Sequence, residues 1–225
     1  MRAAEDNAPR ARRDRLRVSE IFLSLQGEST RMGLPTVFVR LTGCPLRCCY
    51  CDTEYAFRGG ESMALGEVLA RVADYGVRQV TVTGGEPLAQ AGCPGLLTGL
   101  CDAGFEVSLE TSGALDTHPV DPRVRLVLDI KTPGSGEVDR NLYANLARLR
   151  PQDQAKFVIC DRADYDWSLA CVHEYGLIGR CEVLFSPAAG RQDARELAEW
   201  ILHDRAPVRF QLQLHKILWG DERGR

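Results

Sequence analysis

The sequence predicts a single α/β domain, a parallel sheet curled into a partial (β/α) barrel. Short β-rich apolar runs recur along the chain, and segments with helical spacing alternate with them about six times. Several runs are nearly continuous in apolar character, as expected where helices cover both faces of a parallel sheet. There is no internal repeat and no long low-complexity linker, so the elements belong together. Right-handed crossovers between parallel strands then curl the sheet into a full or partial barrel.

The first strand is expected at Val37–Leu41 (VFVRL), a run of β-branched and aromatic residues. Helical spacing follows over Ala64–Tyr75, then a strand at Val80–Thr83 and a helix over roughly Gly95–Ala103. Phe105–Leu109 and Leu126–Ile130 read as the next two strands. Asp139–Leu149 shows helical spacing, Phe157–Cys160 strand character and Tyr165–Tyr175 helical spacing again. Glu182–Phe185 reads as a strand, Asp193–His203 as a helix, and the apolar stretch Val208–Leu214 closes the order.

The chain has 225 residues, 44 % of them hydrophobic, enough for one domain with a sizeable core. A net charge of −3 gives no basic field of the kind nucleic-acid binding uses. No apolar run reaches the roughly 18 residues of a membrane span. Residues 1–17 stand apart, with six arginines (Arg2, Arg10, Arg12, Arg13, Arg15, Arg17), three acids and almost nothing apolar. The acids argue against a transit peptide, and a secretory signal needs an apolar core that is missing. A solvated, disordered tail is expected there, a core domain over 18–225, and a cytoplasmic setting.

Nine cysteines is many for such a chain. Cys93, Cys101, Cys160, Cys171 and Cys181 are scattered and read as small buried hydrophobes. Four crowd between Cys44 and Cys51, where Cys44, Cys48 and Cys51 are spaced C-x3-C-x2-C. Three thiolates on one compact loop can each hold one iron of a 4Fe–4S cubane and leave the fourth iron open. Iron–sulfur clusters more usually take four protein thiolates, so the vacancy is a place for substrate or cofactor to coordinate. Zinc is the rival, through the Cys48–Cys51 pair, although a structural zinc site normally closes with a second pair at a distance. Cys49 is a spare, expected to be structural or incidental.

Ligand sites in such folds gather at the C-terminal ends of the strands. The cysteine loop, Gly84-Gly85-Glu86-Pro87, Glu110-Thr111-Ser112-Gly113 and Lys131-Thr132-Pro133-Gly134 each follow a predicted strand. All four should meet at one mouth.

With Tyr50 before its last cysteine, the C-x3-C-x2-C string resembles the signature of the radical S-adenosylmethionine superfamily, and the GGEP turn resembles that superfamily's glycine-rich turn. The likeness narrows at Ser24-Leu-Gln-Gly-Glu28, Phe38-Val-Arg-Leu-Thr-Gly-Cys44, Cys51-Asp-Thr53 and Tyr55-Ala56, which look like 7-carboxy-7-deazaguanine synthases. Detailed resemblance covers roughly residues 18–90, with looser matches at Glu110–Gly113, Asp129–Gly136 and Gln211–Gly220. It implies a partial barrel of the radical S-adenosylmethionine type with substrate-binding N-terminal strands. It also implies a lyase that turns 6-carboxy-5,6,7,8-tetrahydropterin into 7-carboxy-7-deazaguanine with loss of ammonia.

The resemblance assigns Leu25, Gln26, Gly27, Glu28, Arg40 and Thr83 to the pterin. A carboxylate such as Glu28 suits a guanidine-like edge because it accepts two parallel N–H bonds; a solvated loop acid is the alternative. Arg40 shares a strand face with Phe38, and its planar fork fits a carboxylate bidentately, against the alternative of an internal ion pair. Tyr50, Cys51, Asp52, Gly85, Asp129, Ile130, Lys131 and Ser186 are implied on the S-adenosylmethionine side. Thr53 is implied as a Mg²⁺ ligand, against a plain helix N-cap. An electron donor such as flavodoxin and a homodimer are further implications, as is a C-terminal tail (His215–Gly220) closing over the substrate. Two other functions stay open on sequence alone: a radical activase acting on a protein partner, and a zinc-stabilised binding module.

Overall fold

The computed structural model describes residues 14–225. An antiparallel ribbon opens the sheet: β1 (Arg15–Leu25) pairs with β2 (Pro35–Leu41) and, along its first residues, with β3 (Glu61–Ala64). The resemblance implied N-terminal strands, but the apolar pattern marked neither β1 nor β3. Of the expected tail, residues 1–13 lie outside the described residues, whereas Arg15, Leu16 and Arg17 belong to β1, with Leu16 buried in the core.

From β2 onward the strands run parallel: β4 (Gln79–Gly84), β5 (Glu106–Thr111), β6 (Arg125–Ile130), β7 (Gln154–Ile159), β8 (Glu182–Pro187) and the two-residue β9 (Arg209–Phe210). The order β3-β1-β2-β4-β5-β6-β7-β8-β9 makes one open sheet, a partial barrel with β3 and β9 as its edges. Helices α1 (Leu65–Ala73), α2 (Cys93–Asp102), α3 (Arg162–Glu174) and α4 (Ala194–Asp204) stand where helical spacing placed them. Asp161 and Asp193 cap α3 and α4 by accepting from the N–H groups of Asp164 and Glu196. Among the described residues no helix is long and apolar enough to cross a membrane.

Two expected elements differ. Asp139–Leu149 is not a helix but two 3₁₀ turns, Val138–Arg140 and Tyr143–Arg148. Asn141 and Asn145 explain this: their side chains bond the backbone of Lys131, Gly113, Leu115 and Thr117, tying the segment to neighbouring loops. Within Val208–Leu214 only Arg209–Phe210 is strand, and a short helix α5 (Leu214–Trp219) follows.

The two faces of the sheet also differ, where helices had been expected on both. Val39, Val82, Leu109, Leu128, Ile130 and Phe157 join α1–α4 in the hydrophobic core. Their strand neighbours Phe38, Arg40, Thr83, Glu110, Asp129 and Lys156 turn to the concave side. In β1 a bulge at Ser19 sets this alternation, since Val18 faces Leu41 but Glu20 already faces Arg40. The extra residue moves Glu20 and Phe22 onto the concave face and Ile21 onto the core face.

The β1–β2 loop enters from below. Arg31 pairs with Glu106, the first residue of β5, and the Thr30 N–H donates to Gln154, the first residue of β7. The loop therefore crosses the N-terminal ends of the strands and plugs the bottom of the partial barrel.

Candidate active site

A cavity of about 240 Å³ lies on the concave face. Its mouth is made by the segments that follow β2, β4, β5 and β6, represented by Cys44–Cys51, Gly84–Gly85, Thr111–Ser112 and Lys131. The expected meeting of four polar segments is what the structure shows, and Leu25–Glu28 close the cavity from the opposite end.

The cysteine loop is held by the backbone around it. Gly43 N–H donates to Ala56 O (2.8 Å), Glu86 N–H to Gly43 O (2.8 Å) and Cys49 N–H to Ser135 O (3.0 Å). Arg47 braces the loop from outside through Nη1 to Cys44 O at 2.9 Å. Cys44, Cys48 and Cys51 are half-buried and face the cavity; Cys49 is exposed, absent from its wall, and donates to Gly134 O at 2.8 Å. Burial raises the Cys44 and Cys51 thiols and pushes Cys48 up to about 11, against the pull of the Lys131 charge. Three soft donors on one braced loop, aimed into one cavity beside a cation, form a donor set that fits a cubane with an open iron.

Behind the loop, a Cβ at Gly85 would stand 2.4 Å from Gly43 O and 2.6 Å from the Cys44 Cβ, so glycine there lets the GGEP turn pack directly on the cysteine loop. Glu86 is fully buried and accepts from Leu88 N–H (2.9 Å), Ser112 N–H (2.7 Å) and the Thr111 hydroxyl (2.9 Å). It locks the GGEP and ETSG turns together.

The floor is polar and largely buried. Glu28 is only 9 % exposed; its Oε2 is paired with Lys156 and its Oε1 accepts from Gln213 Nε2 at 2.7 Å. That excludes a solvated loop acid. Gln26 Nε2 donates to Thr81 Oγ1 (3.0 Å) and Glu110 Oε1 (3.3 Å), while Thr83 Oγ1 donates to Glu110 Oε2 (3.1 Å). Burial, with the Glu28 charge added, pushes the Glu110 carboxyl above its ordinary range. A Cβ at Gly27 would stand 2.1 Å from His215 Nδ1, so glycine there admits the tail. Leu214 N–H donates to Gly27 O (2.9 Å), and Gln211 exchanges two 2.9 Å bonds with the Ser29 backbone. The tail thus seals the gap between β9 and the β1–β2 loop.

On the near wall, Arg40 Nε donates to Glu20 Oε1 at 2.6 Å, and the Tyr55 hydroxyl reaches the same oxygen at 2.7 Å. Arg40 therefore has an internal partner and also lines the cavity. Thr53 does occupy the N-cap of the 3₁₀ turn Glu54–Phe57 but makes no capping bond; its hydroxyl donates to Asp52 Oδ1 at 2.7 Å. Burial raises Asp52, but that bond and the Lys216 charge outweigh it and hold the carboxyl below its ordinary value. Lys131 is paired with Asp129 at 3.0 Å and sits 5.8 Å from the centre of the Tyr50 ring, whose buried hydroxyl has no partner.

Two predicted site residues are elsewhere. Ile130 is 3 % exposed in the core, because alternation turns it away between Asp129 and Lys131. Ser186 is buried beside Val158 and does not reach the cavity; Ala188 and Ala189 line it instead. Phe22, Phe57, Lys156 and Arg225 line the cavity without having been predicted there. Only Lys156 left a signal: a lysine inside the apolar run QAKFVI needs a partner.

A sequence profile described as the Radical SAM superfamily matches residues 38–140. A protein of Chlorobaculum tepidum named 7-carboxy-7-deazaguanine synthase is 48 % identical over 213 residues, covering 93 % of this chain and 97 % of that one. One of the same name from Koribacter versatilis is 41 % identical, covering 92 % and 98 %. The crystal structure of QueE from Escherichia coli superposes with a TM-score of 0.76 at 22 % identity, over 95 % of this chain and 100 % of that one, which shows the shared fold.

Proposed function

The chain belongs to the 7-carboxy-7-deazaguanine synthase family of radical S-adenosylmethionine enzymes, and on that premise we propose that it converts 6-carboxy-5,6,7,8-tetrahydropterin to 7-carboxy-7-deazaguanine with loss of ammonia, on the route to queuosine and related 7-deazapurines. The observation that carries this is one cavity with a three-thiol loop at its mouth and a largely buried, hydrogen-bonding floor. A peptide-activating enzyme has no use for such a floor, and family membership displaces the zinc-stabilised module.

Cys44, Cys48 and Cys51 would hold the 4Fe–4S cluster, with Tyr50, Asp52, Gly85, Asp129 and Lys131 on the S-adenosylmethionine side. Ile130 would contribute main chain only, and Ser186 drops from the set. When bound, cluster and cofactor supply the one-electron chemistry and the hydrogen abstraction. The chain itself binds, orients and excludes water. Glu28 accepts N–H bonds from the pterin edge, each of its oxygens keeping a lone pair beyond the one bond it takes from the protein. Glu110 holds the Gln26 amide and the Thr83 hydroxyl in place. Arg40 keeps donors beyond the one used on Glu20 and takes the substrate carboxylate. Gly27 and the tail shield the bound ring.

Family likeness further supports Mg²⁺ held at Thr53, an electron donor such as flavodoxin, a homodimer and a cytoplasmic setting. Anaerobic turnover of the reconstituted enzyme with 6-carboxytetrahydropterin, S-adenosylmethionine and a reductant should yield the deazapurine. Cofactor cleavage without any deazapurine would overturn the assignment.

A further inference from the structure

Lys156 touches no reacting group, yet it is a deeply buried cation of the cavity wall, 8 % exposed as is Lys131, on a strand whose neighbours Ala155 and Phe157 are core. A buried ammonium is costly unless paired. Its partner is Glu28, and the surroundings explain the pairing. Glu28 and Glu110 share the floor, with Asp129 beyond them. The other cations lining the cavity are committed: Arg40 to Glu20, Lys131 to Asp129 and Arg225 to Glu222. From the tail, His215 and Lys216 add their fields, but burial lowers the His215 basicity and Lys216 is paired with Asp221. Arg40 bears on Glu110 through space, and Lys156 is the cation in direct contact with a floor carboxylate.

We propose that Lys156 is a positioning residue that fixes Glu28 as a charged acceptor on the floor and thereby sets selectivity for ligands presenting paired N–H donors. Each Glu28 oxygen takes one bond from the protein, to Lys156 or to Gln213, and keeps a lone pair for the ligand. Without the ammonium, Glu28 loses the contact that holds one of its oxygens and faces Glu110 unshielded, so the two carboxylates repel and Glu28 no longer presents both lone pairs to the ligand.

The proposal rests on the pterin reading of the site, and equilibrium binding separates the two. The probes are 6-carboxypterin and 6-carboxylumazine, in which a carbonyl oxygen replaces the 2-amino group. Hydrogen bonds to a charged group give wild type a preference for the pterin of about 10- to 100-fold. Lys156→Met should lose most of that preference, because its Glu28 is no longer held with free lone pairs toward the ligand. Lys156→Arg, which keeps the pairing charge, should restore it. Should Lys156→Met prove poorly folded, Lys156→Gln reads the same pattern, and Glu28→Gln/Lys156→Met, with both charges gone, should fold and show the same lost preference. A lysine variant with the wild-type preference would overturn the proposal alone. A wild-type protein that does not prefer the pterin would overturn the pterin reading and this proposal with it.

Discussion

Truncating Arg40 to alanine separates a substrate contact from a structural ion pair, because the structure gives the guanidinium both a partner and a place on the cavity wall. The pair with Glu20 is 2.6 Å long, and its side chains are 17 % and 21 % exposed. At that exposure, between a surface and a buried pair, breaking it costs about 1–3 kcal/mol of folding stability, or roughly 2–12 °C in Tm for a chain of this size. Arg40→Ala and Glu20→Gln should share that loss. Binding should split them. A guanidinium facing the substrate carboxylate in a partly dry pocket is worth about 2–5 kcal/mol on truncation, hence roughly 30- to several-thousand-fold weaker pterin binding. Glu20→Gln frees the guanidinium and should bind the carboxypterin at least as well as wild type. Arg40→Lys should recover part of the loss, since an ammonium cannot reproduce the planar fork. Titration calorimetry with carboxypterin and with a pterin lacking the carboxylate decides the matter. The second ligand should bind Arg40→Ala and wild type alike. Equal losses in Arg40→Ala and Glu20→Gln, or equal losses for both ligands, would refute the substrate role.

Cys44→Ala, Cys48→Ala and Cys51→Ala should each lose the cluster's visible absorbance on anaerobic reconstitution, while Cys49→Ala, whose thiol is exposed and turned to Gly134, should keep it. Thr53→Ala should weaken the Mg²⁺ dependence of turnover with the cluster spectrum intact; wild-type turnover indifferent to thorough Mg²⁺ removal would end the ligand role. Gly27→Ala drives a methyl into the His215 ring and should unseat the tail, seen as faster proteolysis after Gln213 and a KM raised at least about tenfold, with Tm lowered by no more than a few degrees.

Much of this was legible in the sequence because it is written in local periodicities. The parallel strands and the helices α1–α4 follow from apolar spacing, and the mouth follows from polar segments placed after strands. β1 was hidden by its own composition: arginines at Arg15 and Arg17 made its start look like tail, and the bulge at Ser19 breaks the alternation that would have marked the rest. Taking Asp129–Lys131 as one contiguous segment hid that the Ile130 side chain turns away, since period-two geometry sends every second side chain to the core. The helix expected over Asp139–Leu149 failed because its asparagines bond to distant loops, a tertiary preference that spacing cannot register. The Glu28–Lys156 pair joins residues 128 positions apart, beyond the reach of any local pattern.

The seam between the two ends of the chain has a bearing on how the protein is made. Ser29 waits for Gln211, 182 residues later, and Glu28 waits for Gln213, 185 residues later. At ribosomal speeds of about 5–20 residues per second, those partners emerge roughly ten to forty seconds after the loop they secure. The cysteine loop leaves the ribosome within the first part of that interval, before β9 and the tail exist to wall it in. During synthesis its thiols face solvent and whatever metal or oxidant is there, and shelter arrives only with the last helix. Delivery of iron and sulfide is therefore least hindered in the nascent chain, and so is oxidative damage.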